Sequence, residues 1–144
     1  MAISFKYKSV KRHDGNEIKT PSIPVNLRGK SPNWIEFMAL VDSGADLSVV
    51  PQDVAELLNF DLSGEKDKSR GIGGEVEVIN TKMQVNINRK HEDYTFEVPV
   101  QVVLGDSKIP VLLGREGFFD QFKITFEQSS EMVILKKVNP NELK

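Results

Sequence analysis

The segment Val41-Asp42-Ser43-Gly44-Ala45-Asp46 puts two carboxylates, a hydroxyl and a glycine within six residues. An apolar run, Phe37 to Val41, leads into it, and a second, Leu47 to Val50, leads out. A carboxylate carried between two hydrophobic strands is costly unless it is hydrogen-bonded or has a protonation task. Ser43 and Gly44 supply small side chains, a hydroxyl and backbone N–H groups that can approach closely. This suits an acid–base carboxylate. Taken alone, however, the Asp-Ser-Gly triplet is more simply read as a surface Asx-type turn between strands.

Two further stretches bear on that choice. Gly71-Ile72-Gly73-Gly74 sits between Arg70 and the alternating pair Val76 and Val78. Three glycines in four positions do not pack a core; they allow positive φ and easy backbone movement, so the segment reads as a hairpin with a glycine-rich tip. A phosphate-binding loop fits poorly, because a β pattern follows where a helix is needed and no Lys-Ser/Thr pair is present. Ile109 to Leu113 is a continuous apolar run ending in Gly114-Arg115, which suits a fully buried strand. Asp42 and Asp46 could also form an acid pair within one chain, as glycosidases use at roughly 5 to 9 Å. With one Trp and two Tyr in the chain, none beside the motif, that alternative is weak.

Composition narrows the field. With 144 residues the chain suits one domain and one core. Its 39% hydrophobic and 28% charged residues are ordinary for a soluble globular chain. Net charge is 19 − 21 = −2 with no long basic run, so no nucleic-acid or membrane partner is expected. No apolar run approaches a membrane span and the N-terminus lacks signal-peptide character, which makes a cytoplasmic protein the expectation. The absence of cysteine excludes disulfides and thiol chemistry. His13 and His91 lie in polar, turn-like contexts, and no cluster has metal-ligand spacing, so neither a metal nor another cofactor is expected.

The elements that must hold these residues read as short strands. Ile3, Phe5 and Tyr7 alternate with polar residues, His13 to Asn16 is a turn, and Ile18 to Leu27 returns as a strand that Pro21 and Pro24 make irregular or place on an edge. Trp34 to Val41 leads to the acid. Pro51 opens a short helix to Asn59, followed by a charged loop, Asp61 to Arg70. Strands follow around Met83–Ile87 and Tyr94–Leu104, with a turn at Asn88 to Asp93. After Gly114 a short helix spans Arg115 to Gln121, then strands Lys123–Phe126 and Met132–Val138 flank a turn. Many short strands with two brief helices indicate an all-β barrel or sandwich.

The order of the three stretches resembles the retropepsin family, the single-domain aspartic proteases of retroviruses and their cellular relatives. The likeness spans roughly residues 34–126, with residues 1–30 as an N-terminal hairpin extension and 132–138 as a last strand of the same single domain. The resemblance implies a closed β-barrel with one or two short helices and a β-hairpin flap. It implies that Asp42 is the catalytic aspartate, that Ser43 braces two active-site loops across a dimer, and that Gly44 accepts a substrate N–H through its carbonyl. Ala45 would line the pocket wall, and Asp46 would contact substrate backbone and pair with Arg115. Gly71, Ile72, Gly73 and Gly74 would form the flap, and Leu113 and Gly114 would pack beneath the active-site loop. Three features depart from the family pattern: the long N-terminal segment, Glu116 where viral enzymes often carry Asn, and the apolar Leu47.

One Asp-Ser-Gly per chain has a consequence. Aspartic protease chemistry needs two carboxylates sharing one proton. Asp61-Leu62-Ser63-Gly64 has an extra residue and no apolar strand before it, and Asp106-Ser107-Lys108 lacks the glycine, so neither is a second copy. A homodimer must then bring Asp42 beside its own copy. The expectation is an aspartic endopeptidase acting on peptide or protein substrates, with Leu47, Ile72 and Leu112 favouring apolar side chains at the scissile bond. The alternative is a non-catalytic peptide-binding or dimerisation module on the same fold.

Overall fold

The computed structural model describes residues 2–71, 74–106 and 108–139. Six strands close a barrel: β4 (Ser22–Arg28), β5 (Ile35–Val41), β6 (Ser48–Pro51), β8 (Gly74–Arg89), β9 (Glu92–Val103) and β10 (Val111–Leu113). Around the ring the order is β4, β5, β10, β6, β9, β8, and β8 pairs back to β4. The period of two decides which side chains fill it. Ile23, Val25 and Leu27 of β4, Ala39 and Val41 of β5, Met83, Val85 and Ile87 of β8, and Val98, Val100 and Val102 of β9 are all buried in one core.

The closing seam between β4 and β8 is polar on its outer side. Asn26 Nδ2 donates to Asn86 Oδ1 at 3.0 Å, and Asn86 Nδ2 donates to Asp93 Oδ1 at 2.7 Å and Thr95 Oγ1 at 2.9 Å. Arg28 Nε donates to Gln84 Oε1 at 3.0 Å. A satisfied ladder of this kind fixes register where apolar packing alone would allow slippage.

Outside the barrel lie two smaller sheets. β1 (Ala2–Lys6), β12 (Met132–Lys137) and β11 (Phe122–Glu127) form one, in that order, and β2 (Lys8–Lys11) with β3 (Glu17–Thr20) form a hairpin. Phe118, fully buried, joins barrel to sheet: its ring centroid lies 5.5 Å from Phe122 of β11 and 6.0 Å from Phe96 of β9.

The structure departs from the sequence expectations at several points. The strand expected over Ile18 to Leu27 divides at Pro21. Its first part stays in the β2–β3 hairpin and its second part, β4, is a barrel strand, so the barrel takes a strand from within residues 1–30. Part of the expected charged loop is β7 (Lys66–Gly71). Among the described residues β7 pairs only with β8, and it carries polar side chains, with Glu75 lying 3.4 Å from Lys68 and 3.3 Å from Arg70. A strand that buries nothing has no apolar period to read. The helix α1 (Gln52–Leu57) is shorter than expected and is followed by Asn59 in the left-handed region, φ 57°. The expected helix from Arg115 is reduced to one 3-10 turn, Phe119–Gln121. Gly117, at φ 89°, breaks the helical path there, and Asp120 Oδ2 accepts its N–H at 2.9 Å.

Candidate active site

The site is built by threading β10 between β5 and β6. β10 runs parallel to β5, with Val111 opposite Ala39 and Leu113 opposite Val41, and antiparallel to β6, with Leu112 opposite Val49. The loop from Asp42 to Leu47 joins β5 to β6 and must therefore arch over the end of β10. Four backbone donors clasp it there. Asp42 N–H donates to the Leu113 carbonyl at 3.0 Å, Arg115 N–H to Ala45 at 2.9 Å, and Glu116 N–H to Asp46 at 2.9 Å. Gly114 N–H donates to Ser48 Oγ at 3.1 Å.

Gly114 is a steric requirement of this clasp. A Cβ there would lie 2.4 Å from both the Leu47 carbonyl carbon and its oxygen, and 3.0 Å from the Ala45 oxygen. Ser48, wholly buried, was not singled out in the sequence, although a hydroxyl inside Leu47-Ser48-Val49-Val50 is the kind of signal that could have marked it. An isolated hydroxyl in an apolar run needs a partner.

Asp42 emerges half-buried at the end of β5. Its Oδ1 accepts the Gly44 N–H at 2.9 Å, which orients the carboxylate. Among the described residues Oδ2 takes no hydrogen bond. Ser43 and Gly44 are exposed beside it, Ala45 and Leu47 are half-buried, and Asp46 reaches Arg115 in an ion pair. Both partners of that pair are solvated, so it adds about 0–1 kcal/mol to the clasp. Asp42, Ser43, Gly44, Ala45, Asp46, Leu47, Gly114 and Arg115 are thus brought together by one loop and one strand end.

The glycine-rich stretch belongs to a different hairpin. Gly71 and Gly74 face each other where β7 meets β8, and Ile72 and Gly73 lie outside the described residues. A groove of about 410 Å³ opens beside the carboxylate, lined by Leu40, Val41, Asp42 and Ser43 together with Tyr7, Lys19, Pro21, Phe126 and Gln128. The last five come from the N-terminal segment and from β11 and the turn after it. No local pattern marks them as neighbours of Asp42. No group of carboxylates and histidines among the described residues could hold a metal ion.

Leu40, Val49 and Leu112, half-buried and adjacent on β5, β6 and β10, lie in register as an apolar row. Asp42 and the clasp sit at the end of that row.

The fold and motif order match known proteins. The structure aligns with a retropepsin-like aspartic protease from Rickettsia conorii at TM-score 0.58 and 22% identity, covering 94% of this chain and 98% of that one. It also aligns with the retroviral protease-like domain of Ddi1 from Leishmania major at TM-score 0.50 and 16% identity, covering 85% and 97%. At these identities the likeness is one of fold: a retropepsin-like barrel. No curated protein sequence matches the chain. The family model described as aspartyl protease matches residues 23–116, from β4 through the Asp42 loop to the Gly114-Arg115 clasp, and the chain belongs to that family.

Proposed function

We propose that the chain is one protomer of a homodimeric aspartic endopeptidase. The observation that carries this reading is Asp42 itself: a half-buried carboxylate at the end of a core strand, held by one backbone N–H, in a loop clasped from below. Each chain supplies one such acid, so the second carboxylate comes from a second copy.

In the dimer the two Asp42 carboxylates lie about 3 Å apart and hold one proton between them. The ionised member takes a proton from a water, whose oxygen attacks the scissile carbonyl carbon. The protonated member gives its proton to the carbonyl oxygen, forming a neutral tetrahedral diol. Collapse of the diol transfers a proton to the amide nitrogen, and the C–N bond breaks. Ser43 braces the paired loops, Gly44 accepts a substrate N–H through its carbonyl, and Ala45 walls the pocket. Asp46, steadied by Arg115, contacts substrate backbone, and Gly114 keeps the loop at its height. Gly71 to Gly74 close over the bound peptide as a flap, excluding bulk water. The row of Leu40, Val49 and Leu112, with Leu47 and Ile72, favours apolar side chains on either side of the scissile bond.

A diverse peptide library incubated from about pH 4 to 7, with Asp42→Asn alongside, tests the reading. Cleavage by the parent that is lost in a folded, dimeric Asp42→Asn supports it; cleavage retained in the variant overturns it.

A further inference from the structure

Residues 6–20 carry five cations, Lys6, Lys8, Lys11, Arg12 and Lys19, against two acids, Asp14 and Glu17. Their net charge is 5 − 2 = +3, while the whole chain stands at −2, so the remainder carries −2 − 3 = −5. Asp14 is taken up by its own turn: Oδ1 accepts the Asn16 N–H at 2.9 Å and Oδ2 accepts Asn16 Nδ2 at 3.1 Å. Among the described residues none of the five cations forms an ion pair, whereas Lys30, Lys68, Arg70, Lys82 and Arg115 each do. The positive charge of the molecule is thus gathered, unpaired, at one place.

That place is fixed beside the candidate carboxylate. The β2–β3 hairpin is tied down at both roots: Tyr7 N–H donates to the Glu131 carbonyl at 2.8 Å, and Val41 N–H donates to the Pro21 carbonyl at 2.9 Å. The Thr20 and Ser22 hydroxyls share a hydrogen bond of 2.9 Å between these roots. Lys19 therefore stands two residues from a backbone bond to the strand that delivers Asp42. It is exposed, and the residue opposite it in the hairpin is the small Ser9. Among the residues lining the groove of about 410 Å³, Lys19 is the one cation and Asp42 the one anion, and no ion pair joins them.

The rest of the groove wall is mainly apolar, with Tyr7, Pro21, Leu40 and Phe126. Leu40 belongs both to this wall and to the apolar row it forms with Val49 and Leu112. A peptide whose apolar side chain rests on that row carries its following residues into the groove, where Lys19 meets them. An ammonium on a flexible stem at the edge of apolar surface is matched by a carboxylate. The other unpaired cations of the hairpin add to the field that draws an acidic segment there.

We propose that Lys19 is a specificity-determining residue, selecting peptides that carry an aspartate or glutamate beyond the apolar residues at the scissile bond. The proposal rests on the protease reading above and names its substrate class. A two-fold dimer contains the groove twice, so the preference holds on both sides of the scissile bond.

A glutamate walked along a neutral peptide drawn from the library, with glutamine at the same position as reference, tests this. At the position that reaches Lys19, glutamate is expected to raise kcat/KM roughly fivefold, the size of a solvated charge pair. The gain is expected in KM, with kcat unchanged, because the contact is made equally in the ground and transition states. It is expected to shrink as salt rises. Lys19→Gln levels the two peptides, and Lys19→Glu prefers lysine to glutamine at the same position. Lys90→Glu makes the same change of charge at the β8–β9 turn, outside the groove, and is expected to keep the parent preference. Binding of the same peptides to Asp42→Asn, followed by fluorescence anisotropy, reads the selection without catalysis. Glutamate that brings no gain at any position, or a Lys19→Glu loss that falls on glutamate and glutamine peptides alike, overturns the proposal and leaves Asp42-dependent cleavage standing. Glutamate peptides that bind in a Lys19-dependent way but are never cut by the parent keep the selection and sink the protease reading.

Discussion

Two turns in this chain present an aspartate, a serine and a glycine, and they differ in what surrounds the carboxylate. At Asp61-Leu62-Ser63-Gly64 the acid is satisfied by its own turn. Asp61 Oδ1 accepts both the Ser63 N–H at 3.0 Å and the Ser63 hydroxyl at 2.5 Å, and Lys30 Nζ stands 3.8 Å from Oδ2. At Asp42-Ser43-Gly44 the side chain receives one N–H, from Gly44, and apart from the Ala45 N–H to the Asp42 carbonyl the loop is held by backbone of Leu113, Arg115 and Glu116, some 70 residues on (115 − 45 = 70). The Ser63 hydroxyl is used locally, whereas Ser43 stands exposed. A local turn spends its acid on itself; a loop held by distant backbone leaves its acid for something else.

The largest effect that could break this contrast is on activity. Asp42→Asn is expected to lower peptide cleavage by roughly a thousandfold, as loss of an acid–base group does, while Asp61→Asn leaves the rate within about twofold of the parent. Steady-state cleavage of one library-derived peptide measures both. Equal losses would mean that the two turns are not functionally distinct.

The next effect is on stability. Gly114→Ala drives a Cβ into the Leu47 carbonyl, where backbone has to move. The expected loss is roughly 3 kcal/mol, at the upper end for overpacking, and a fall in Tm of about 10 °C. Gly64→Ala meets only Ile79 Cγ2, at 3.9 Å, an ordinary contact. Its Tm is expected to move by no more than about 2 °C. Thermal unfolding of the pair compares a clasped loop with a free one.

What was legible in the sequence follows the same division. The Asp42 loop and Gly114-Arg115 could be read because each is a short signal: an apolar run ending in small and charged residues. Their meeting could be expected only through the family resemblance, since no spacing rule brings residues 42 and 114 together. β7 was illegible because its residues face water and their pairing with β8 rests on backbone and ion pairs. The groove walls Tyr7, Lys19, Phe126 and Gln128 were illegible because chain ends, folded back as separate sheets, carry them to Asp42. The Asn26–Asn86 seam reads as two ordinary polar residues until the barrel closes.

A smaller effect sharpens the role of serine in the two regions. Ser48→Ala removes the acceptor of the buried Gly114 N–H. Leaving that donor unsatisfied costs about 1–3 kcal/mol, and because the clasp loosens, cleavage falls as well. Ser48→Thr keeps the hydroxyl, and its cleavage is expected to recover more than its stability, because the added methyl must be packed. Chemical denaturation and cleavage rates measured on both variants separate the hydrogen bond from the packing.

The smallest effect concerns pH. The Ser63 hydroxyl, then the Ser63 N–H, then Lys30 hold the Asp61 carboxyl below the ordinary aspartate range. A carboxyl whose folded value is lowered stabilises the fold above its unfolded pKa, and that contribution is lost as pH falls through the folded value. The window therefore lies below about pH 4. Solvent screens so exposed a group, and the change in Tm is small. The titration itself is the better readout. Ser63→Ala removes the largest cause, and the Asp61 side-chain resonance followed by NMR is expected to titrate at higher pH than in the parent. An unchanged titration would show that Asp61 does not depend on its own turn, and the contrast with Asp42 would then rest on the β10 clasp alone.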